Sequence, residues 1–295
     1  MKRNAFTWML LALAMVAVVH AERSVDQTIP ADPQVEIEIE IVSGSLRISG
    51  WDRNEVHIRG EIGDDVEELY VAGRGSRISI ELDIPERRFG RVEIDADLEL
   101  RVPFGARLDV ETVSSGIEVE GLTGRLDLST VSGSIEVSGA PDLVDAESVS
   151  GSIRVEGART AIVAESVSGT VTVEGVADRI EASSVSGSIE VKASTVTRGD
   201  LESVSGTVLF EGGLAPNARL DVSSHSGSVR LYLPSDVSAS FDLSTFSGNV
   251  DSEFGGTARR ESRHAPGKTM DFVTGSGSAE VSVESFSGNV SIRKQ

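Results

Sequence analysis

The sequence predicts an all-β fold: a single-domain β-solenoid (β-helix) built from short coils of about 18–21 residues. Three observations lead there. First, the run RLDLSTVSGSIEVSG at 125–139 recurs, and its glycine, Gly133, has equivalents at Gly151, Gly169, Gly187, Gly206, Gly227, Gly248 and Gly288. Second, apolar columns repeat in phase with it. Ile117, Ile135, Ile153, Val171, Ile189 and Val208 form one, and Val119, Val137, Val155, Val173, Val191 and Phe210 another. Third, each coil alternates apolar and polar residues with period 2, as in Leu126-Asp127-Leu128-Ser129 and Ile135-Glu136-Val137-Ser138. Such alternation, rich in β-branched residues, marks half-buried strands. Two or three short strands per coil follow, stacked on equivalent strands at about 4.8 Å. No coil closes its own core, so neighbours stabilise one another. A step of 18 residues is too short for a propeller blade of about 40. The handedness of the solenoid stays open.

Taken in order, residues 1–21 read as a secretory signal peptide. Lys2 and Arg3 precede an apolar run from Trp8 to Val19, and Val19-His20-Ala21 offers small residues at a cleavage point. Residues 22–34 are polar and read as a flexible lead. The solenoid domain spans 35–295. Within it, 35–107 alternates strongly (Val35 to Ile41, Arg77 to Leu82, Val92 to Val102) but with uneven spacing, as less regular N-terminal coils. Residues 108–250 carry the regular repeats. In their first copy, Ser115-Gly116 exchanges the usual Gly and Ser. Residues 251–272 break the period with Arg259, Arg260, Arg263, His264 and Lys268 among glycines, and read as a long basic loop. Residues 273–295 return to the repeat as a C-terminal capping coil.

With SGSLRISGWDRNEVHIRG, LRVPFGARLDVETVSSGIEVEG and the repeated SVSGSIEV in view, the chain resembles the bacterial putative-adhesin family of β-strand-repeat envelope proteins, a domain of unknown function. The resemblance covers about residues 35–295. It implies an exported envelope solenoid, with adhesion suggested by the family name and no catalytic motif to carry over.

Composition narrows the function. The formal charge of −20 disfavours nucleic acid and anionic membranes, which need a basic footprint. There is no cysteine, hence no disulfide, thiol nucleophile or lipid-anchoring cysteine. The histidines His20, His57, His225 and His264 show no metal-ligand spacing. No phosphate loop or nucleophile elbow is present. No catalytic, cofactor or metal residues are therefore expected, and the chain reads as a non-enzyme.

Two columns of outward positions are acidic. One runs Asp109, Asp127, Asp145, Val163, Glu181, Asp200, and the other Glu111, Ser129, Glu147, Glu165, Ser183, Glu202, with no Lys or Arg in either. Exposed like charges about 4.8 Å apart repel by roughly 0.9 kcal/mol in water. The column is read first as a soluble face that resists lateral sheet packing, with weak divalent-cation association as its functional alternative. The serine column Ser132, Ser150, Ser168 and Ser186 is read as satisfying turn backbone groups. His225, in a column otherwise of Val and Phe, is read as a tolerated packing substitution. The expected function is an exported, periplasmic or surface, adhesin-like solenoid that binds an envelope protein or glycan through an extended face. A periplasmic sensor or assembly scaffold is the alternative, and a polysaccharide-acting β-helix enzyme the more remote one.

Overall fold

The computed structural model describes residues 23–83, 94–175, 178–260 and 266–295. The proposed signal peptide lies outside the described residues, as do Arg263 and His264 of the basic loop. Every described element is a strand. The irregular part holds β1 (Arg23–Trp51), β2 (Glu55–Ile62), β3 (Glu68–Asp83), β4 (Asp95–Pro103) and β5 (Arg107–Leu122). The regular coils hold β6 (Arg125–Thr130), β7 (Ile135–Gly139), β8 (Leu143–Ser148), β9 (Ile153–Glu156), β10 (Ala161–Ser166), β11 (Val171–Gly175), β12 (Arg179–Ser184), β13 (Ile189–Ser203), β14 (Val208–Ser226) and β15 (Val229–Leu233). Then follow β16 (Ala239–Ser247), β17 (Val250–Ser252), β18 (Arg259–Arg260), β19 (Lys268–Val273), β20 (Ala279–Ser287) and β21 (Val290–Lys294).

Each regular coil is two strands around a corner, and the coils stack into two parallel sheets that face each other across a slim core. The first sheet runs β5, β6, β8, β10, β12 and the second half of β13. The second runs from the latter half of β5 through β7, β9, β11 and the first half of β13. Leu126 and Leu128 from one sheet meet Ile135 and Val137 from the other, all buried. Alternation sends the intervening residues to solvent, as the period-2 pattern requires.

The corner is held by a hydroxyl that sequence reading placed wrongly. Ser132 and Ser150, just before the glycines, are exposed. The buried hydroxyls sit three residues before each glycine, at Thr130, Ser148, Ser166 and Ser184. Ser148 Oγ accepts the Gly151 N–H at 2.8 Å and donates to the Gly133 carbonyl of the preceding coil at 3.3 Å. Ser166 repeats this with Gly169 N–H at 2.8 Å and the Gly151 carbonyl at 3.1 Å. One hydroxyl thus closes its own corner and ties it to the coil beside it, leaving neither backbone group stranded in the core.

The ends depart from the expected order. Residues 273–295 do not cap the stack. β20 lies between β14 and β16, and β21 between β15 and β17. The last coil of the chain is therefore inserted between two earlier ones. The terminal position belongs to β16 and β17, closed by β19, which pairs antiparallel with β16. The N-terminal end follows the same rule. β1, first in the chain, lies between β5 and the coil made by β3 and β4. β2 closes that end antiparallel to β4. The stretch expected as a flexible lead is instead strand: Arg23 to Pro30 pair antiparallel with β2. Likewise the expected long basic loop contains a short hairpin, with Arg259 and Arg260 of β18 paired to β19. Unpaired edges invite further strands, and antiparallel closure with exposed arginines blunts them. Inside the C-terminal end, Phe241 stacks on Phe272 at 4.6 Å and lies 6.1 Å from Phe254, an aromatic plug over the aliphatic core.

Candidate functional site

The outer face of the first sheet is graded from one side to the other. A strand such as β6 presents Arg125, Asp127 and Ser129 outward, and the next residue of the same parity is Val131 at the corner. Stacking turns each position into a column. The outermost column is basic at Arg125, Arg179, Arg198 and Arg219, and beside it runs the expected aspartate column. Arg219 Nε lies 2.7 Å from Asp221, Arg179 is 2.8 Å from Glu181, and Arg125 is 3.6 Å from Asp127. Sequence reading found the acids and missed these arginines two residues before them on the same strand face.

The glutamate column lies further in, away from the arginines. Among the described residues, no Lys or Arg forms an ion pair with Glu111, Glu147 or Glu165. Burial, and then the carboxylates of Glu147 and Glu181, push the Glu165 carboxyl above the ordinary range. Burial, and then Asp127 and Glu147, do the same to Asp145, which Arg125 partly offsets. At the N-terminal end Glu40 is raised by burial first and by Glu81 and Glu111 next.

Beside the glutamates stands an exposed apolar column. Val113, Val131 and Val149 are each 46% exposed, and Val167, Val185 and Val204 follow at 42–45%. The sequence assigned this column to packing, and the structure corrects that. A core position would need the parity of Leu128 and Thr130, whereas Val131 shares the parity of Asp127 and Ser129 and so faces water. That parity was present in the sequence and is the signal that could have found the column. His225 is accordingly no packing substitution. It is exposed and stacks on Phe286 at 4.9 Å with the rings 1° from parallel, and Phe286 stacks on Phe246 at 5.0 Å. Because the last coil is inserted, the spatial order is His225, Phe286, Phe246. The valine spine ends in an aromatic stack.

Glutamates and valines together line a shallow groove. Its N-terminal part measures about 620 Å³, between Glu111, Glu147 and Glu165 on one side and Val113, Val131 and Val149 on the other. A second part of about 390 Å³ continues past Glu202, His225, Phe246 and Phe286. No group of His, Asp and Glu among the described residues is arranged to hold a metal ion.

The opposite sheet lacks this gradient and carries mixed charges. Arg47 binds Glu118 at 2.8 Å. Arg154 is the register partner of Glu136, as the repeat suggested, but its guanidinium goes to Glu156 at 2.7 Å and Glu174 at 3.2 Å. Of the basic residues expected in the loop, Lys268 donates from Nζ to Asn249 Oδ1 at 2.6 Å.

Fold and groove together define a flattened β-solenoid with an open groove along one face. Residues 164–293 match the family model described as Toastrack DUF4097. The match bears out, over that span, the resemblance drawn from the repeated SVSGSIEV runs. No match was found among curated proteins. The fold is similar to that of a putative adhesin from Parabacteroides distasonis ATCC 8503, with a TM-score of 0.50 and 10% identity over 92% of this chain and 97% of that one. A putative adhesin from Bacteroides fragilis NCTC 9343 aligns over 92% of this chain and 98% of its own, at a TM-score of 0.44 and 13% identity. A putative lipid binding protein from Parabacteroides distasonis ATCC 8503 aligns over 92% and 96%, at 0.37 and 13%.

Proposed function

We propose that this protein is a non-enzymatic, exported envelope or surface solenoid, adhesin-like in role, that binds a macromolecular partner along the graded face of its first sheet. The observation that carries the proposal is the valine column, close to half exposed at every coil from Val113 to Val204. An isolated exposed valine means little, but a contiguous apolar stripe rimmed by charge marks an interaction surface. The carboxylates beside it repeat at coil spacing instead of converging as an acid–base pair, which favours binding over catalysis. The apolar run of residues 8–19 behind Lys2 and Arg3 supports export.

The test is accessibility of the native protein to protease and antibody on intact cells. Labelling of unbroken cells is the expected result. Protection until the outer barrier is opened would end the adhesin reading in favour of a periplasmic sensor or assembly scaffold.

A further inference from the structure

Resting on the reading of the graded face as a binding surface, we infer that the groove between its glutamate and valine columns takes a basic polypeptide segment studded with apolar side chains, laid along the solenoid axis.

The groove makes two demands at once. Its floor is apolar, from Val113 to Val204 and on to the stacked His225, Phe286 and Phe246. At one coil spacing per position this stripe is about 38 Å long. Its wall is anionic at Glu111, Glu147, Glu165 and Glu202, and neither column contains a Lys or Arg. On this face Arg125, Arg179 and Arg219 pair with the aspartate column, nearer the start of each strand and away from the wall. The wall is thus left without internal counter-charge among the described residues of the central coils. The raised carboxyl of Glu165 is consistent with that lack.

These demands exclude most occupants. A second copy, laid groove to groove, would bring glutamate column against glutamate column with no cation between them, in a chain of net charge −20. Nucleic acid and anionic lipid are repelled for the same reason. A neutral glycan would find no aromatic platform over the valine half. A polypeptide carrying Lys or Arg on one side and aliphatic groups on the other meets both columns at once. An extended segment of about 12 residues spans the stripe at about 3.3 Å per residue.

The probe is a fluorescently labelled peptide of about a dozen residues alternating Lys and Val, titrated against the full chain by anisotropy. Lys–Ser and Glu–Val peptides of the same length serve as controls. The expected result is that both controls bind at least about tenfold more weakly. The variant Val149→Ser/Val167→Ser should lose about tenfold in affinity, because both side chains are exposed and their loss leaves the core intact. The variant Glu147→Gln/Glu165→Gln should lose a similar amount, and lose it fastest at low salt. Glu136→Gln/Glu190→Gln, an equal charge change on the opposite sheet, should stay within about twofold. Four outcomes would overturn the inference: equal weakening by the opposite-sheet variant, no preference for Lys–Val over Lys–Ser, no peptide binding at all, or a dimer abolished by the valine variant. Labelled intact cells without peptide binding would overturn the partner chemistry and leave the surface reading standing. Protected cells with groove-specific peptide binding would do the reverse.

Discussion

The glycine at each corner is required for the space it leaves, not for an unusual backbone angle. Gly133, Gly151, Gly169 and Gly187 are absent from the residues with positive φ. A Cβ built on Gly151 would overlap the carbonyl oxygen of Gly133 in the next coil, and one on Gly169 would overlap that of Gly151. From Gly133 to Gly187 the corners therefore stack backbone on backbone, and a side chain there would wedge two coils apart; in the first copy the same column holds the buried Ser115. Gly116, in the exchanged first copy, is different: a Cβ there comes no closer than 3.8 Å to the Ser134 hydroxyl. The two positions make a matched test by chemical denaturation. Gly151→Ala should cost about 1–3 kcal/mol, as overpacking of a close-packed site does. Gly116→Ala should stay within about 0.5 kcal/mol. Equal effects at the two positions would show that the stacking distance is not what selects glycine. The presence of a corner at Ser132-Gly133 could be read from the sequence, but its physical cause could not. The obstructing atom belongs to a residue 18 positions away.

At the scale of the element, the order of strands is the feature that the repeat concealed. The regular coils from Gly133 to Gly227 offer their neighbours a Ser or Thr, a glycine and an apolar pair at matching positions. A coil can therefore dock between any two others at nearly equal local cost, and stability is a sum of nearest-neighbour terms. Sequence order and spatial order are then free to differ, as they do at both ends. The consequence is that β1 and the coil of β20 and β21 are sandwiched, while β3 at one end and β19 with the short β18 at the other close the first sheet. Hydrogen exchange should read this directly. Amides of Val281 to Ser285 in β20, paired on both sides, should exchange more slowly than those of Met270 to Phe272 in β19, which pair only with β16. If β20 exchanged as fast as β19, the C-terminal coil would be an end cap after all. The arrangement also gives β1 and the coil of β20 and β21 a role in stability, since peeling either away opens a gap inside the stack instead of shortening it.

For the whole molecule, charge is the dominant long-range term. Glu40, Asp145 and Glu165 all have carboxyls above their ordinary range, with burial the first cause and neighbouring carboxylates the second. The folded chain holds these protons more tightly than the unfolded chain does. Protonation therefore favours the fold, and the stabilisation is complete below the unfolded pKa and lost as pH rises through the raised folded values. The melting temperature should accordingly rise as pH is lowered from about 7 toward 5 at low ionic strength, and the rise should shrink in high salt as repulsion is screened. Glu165→Gln should raise the melting temperature at neutral pH by about 1–2 °C and flatten part of that pH dependence. A melting temperature that fell steadily from pH 7 to 5 would contradict the assignment of the glutamate column as a destabilising feature of the unliganded fold.

What the sequence alone determined is local and periodic. The strands, the corner, the 18-residue step, the aspartate and glutamate columns and the excess of acid all follow from residue type and spacing. These need only the pleat and the requirement that each coil bury its apolar side against the next. The tertiary structure decided three things. It set the order of the end coils, because interchangeable stacking faces leave that order undetermined along the chain. It set each corner glycine from Gly133 to Gly187 against the carbonyl of the coil beside it, because that contact joins residues 18 positions apart in the chain. It also gathered the outward valines and the glutamates into one groove, because the columns become a continuous surface only when the coils stack.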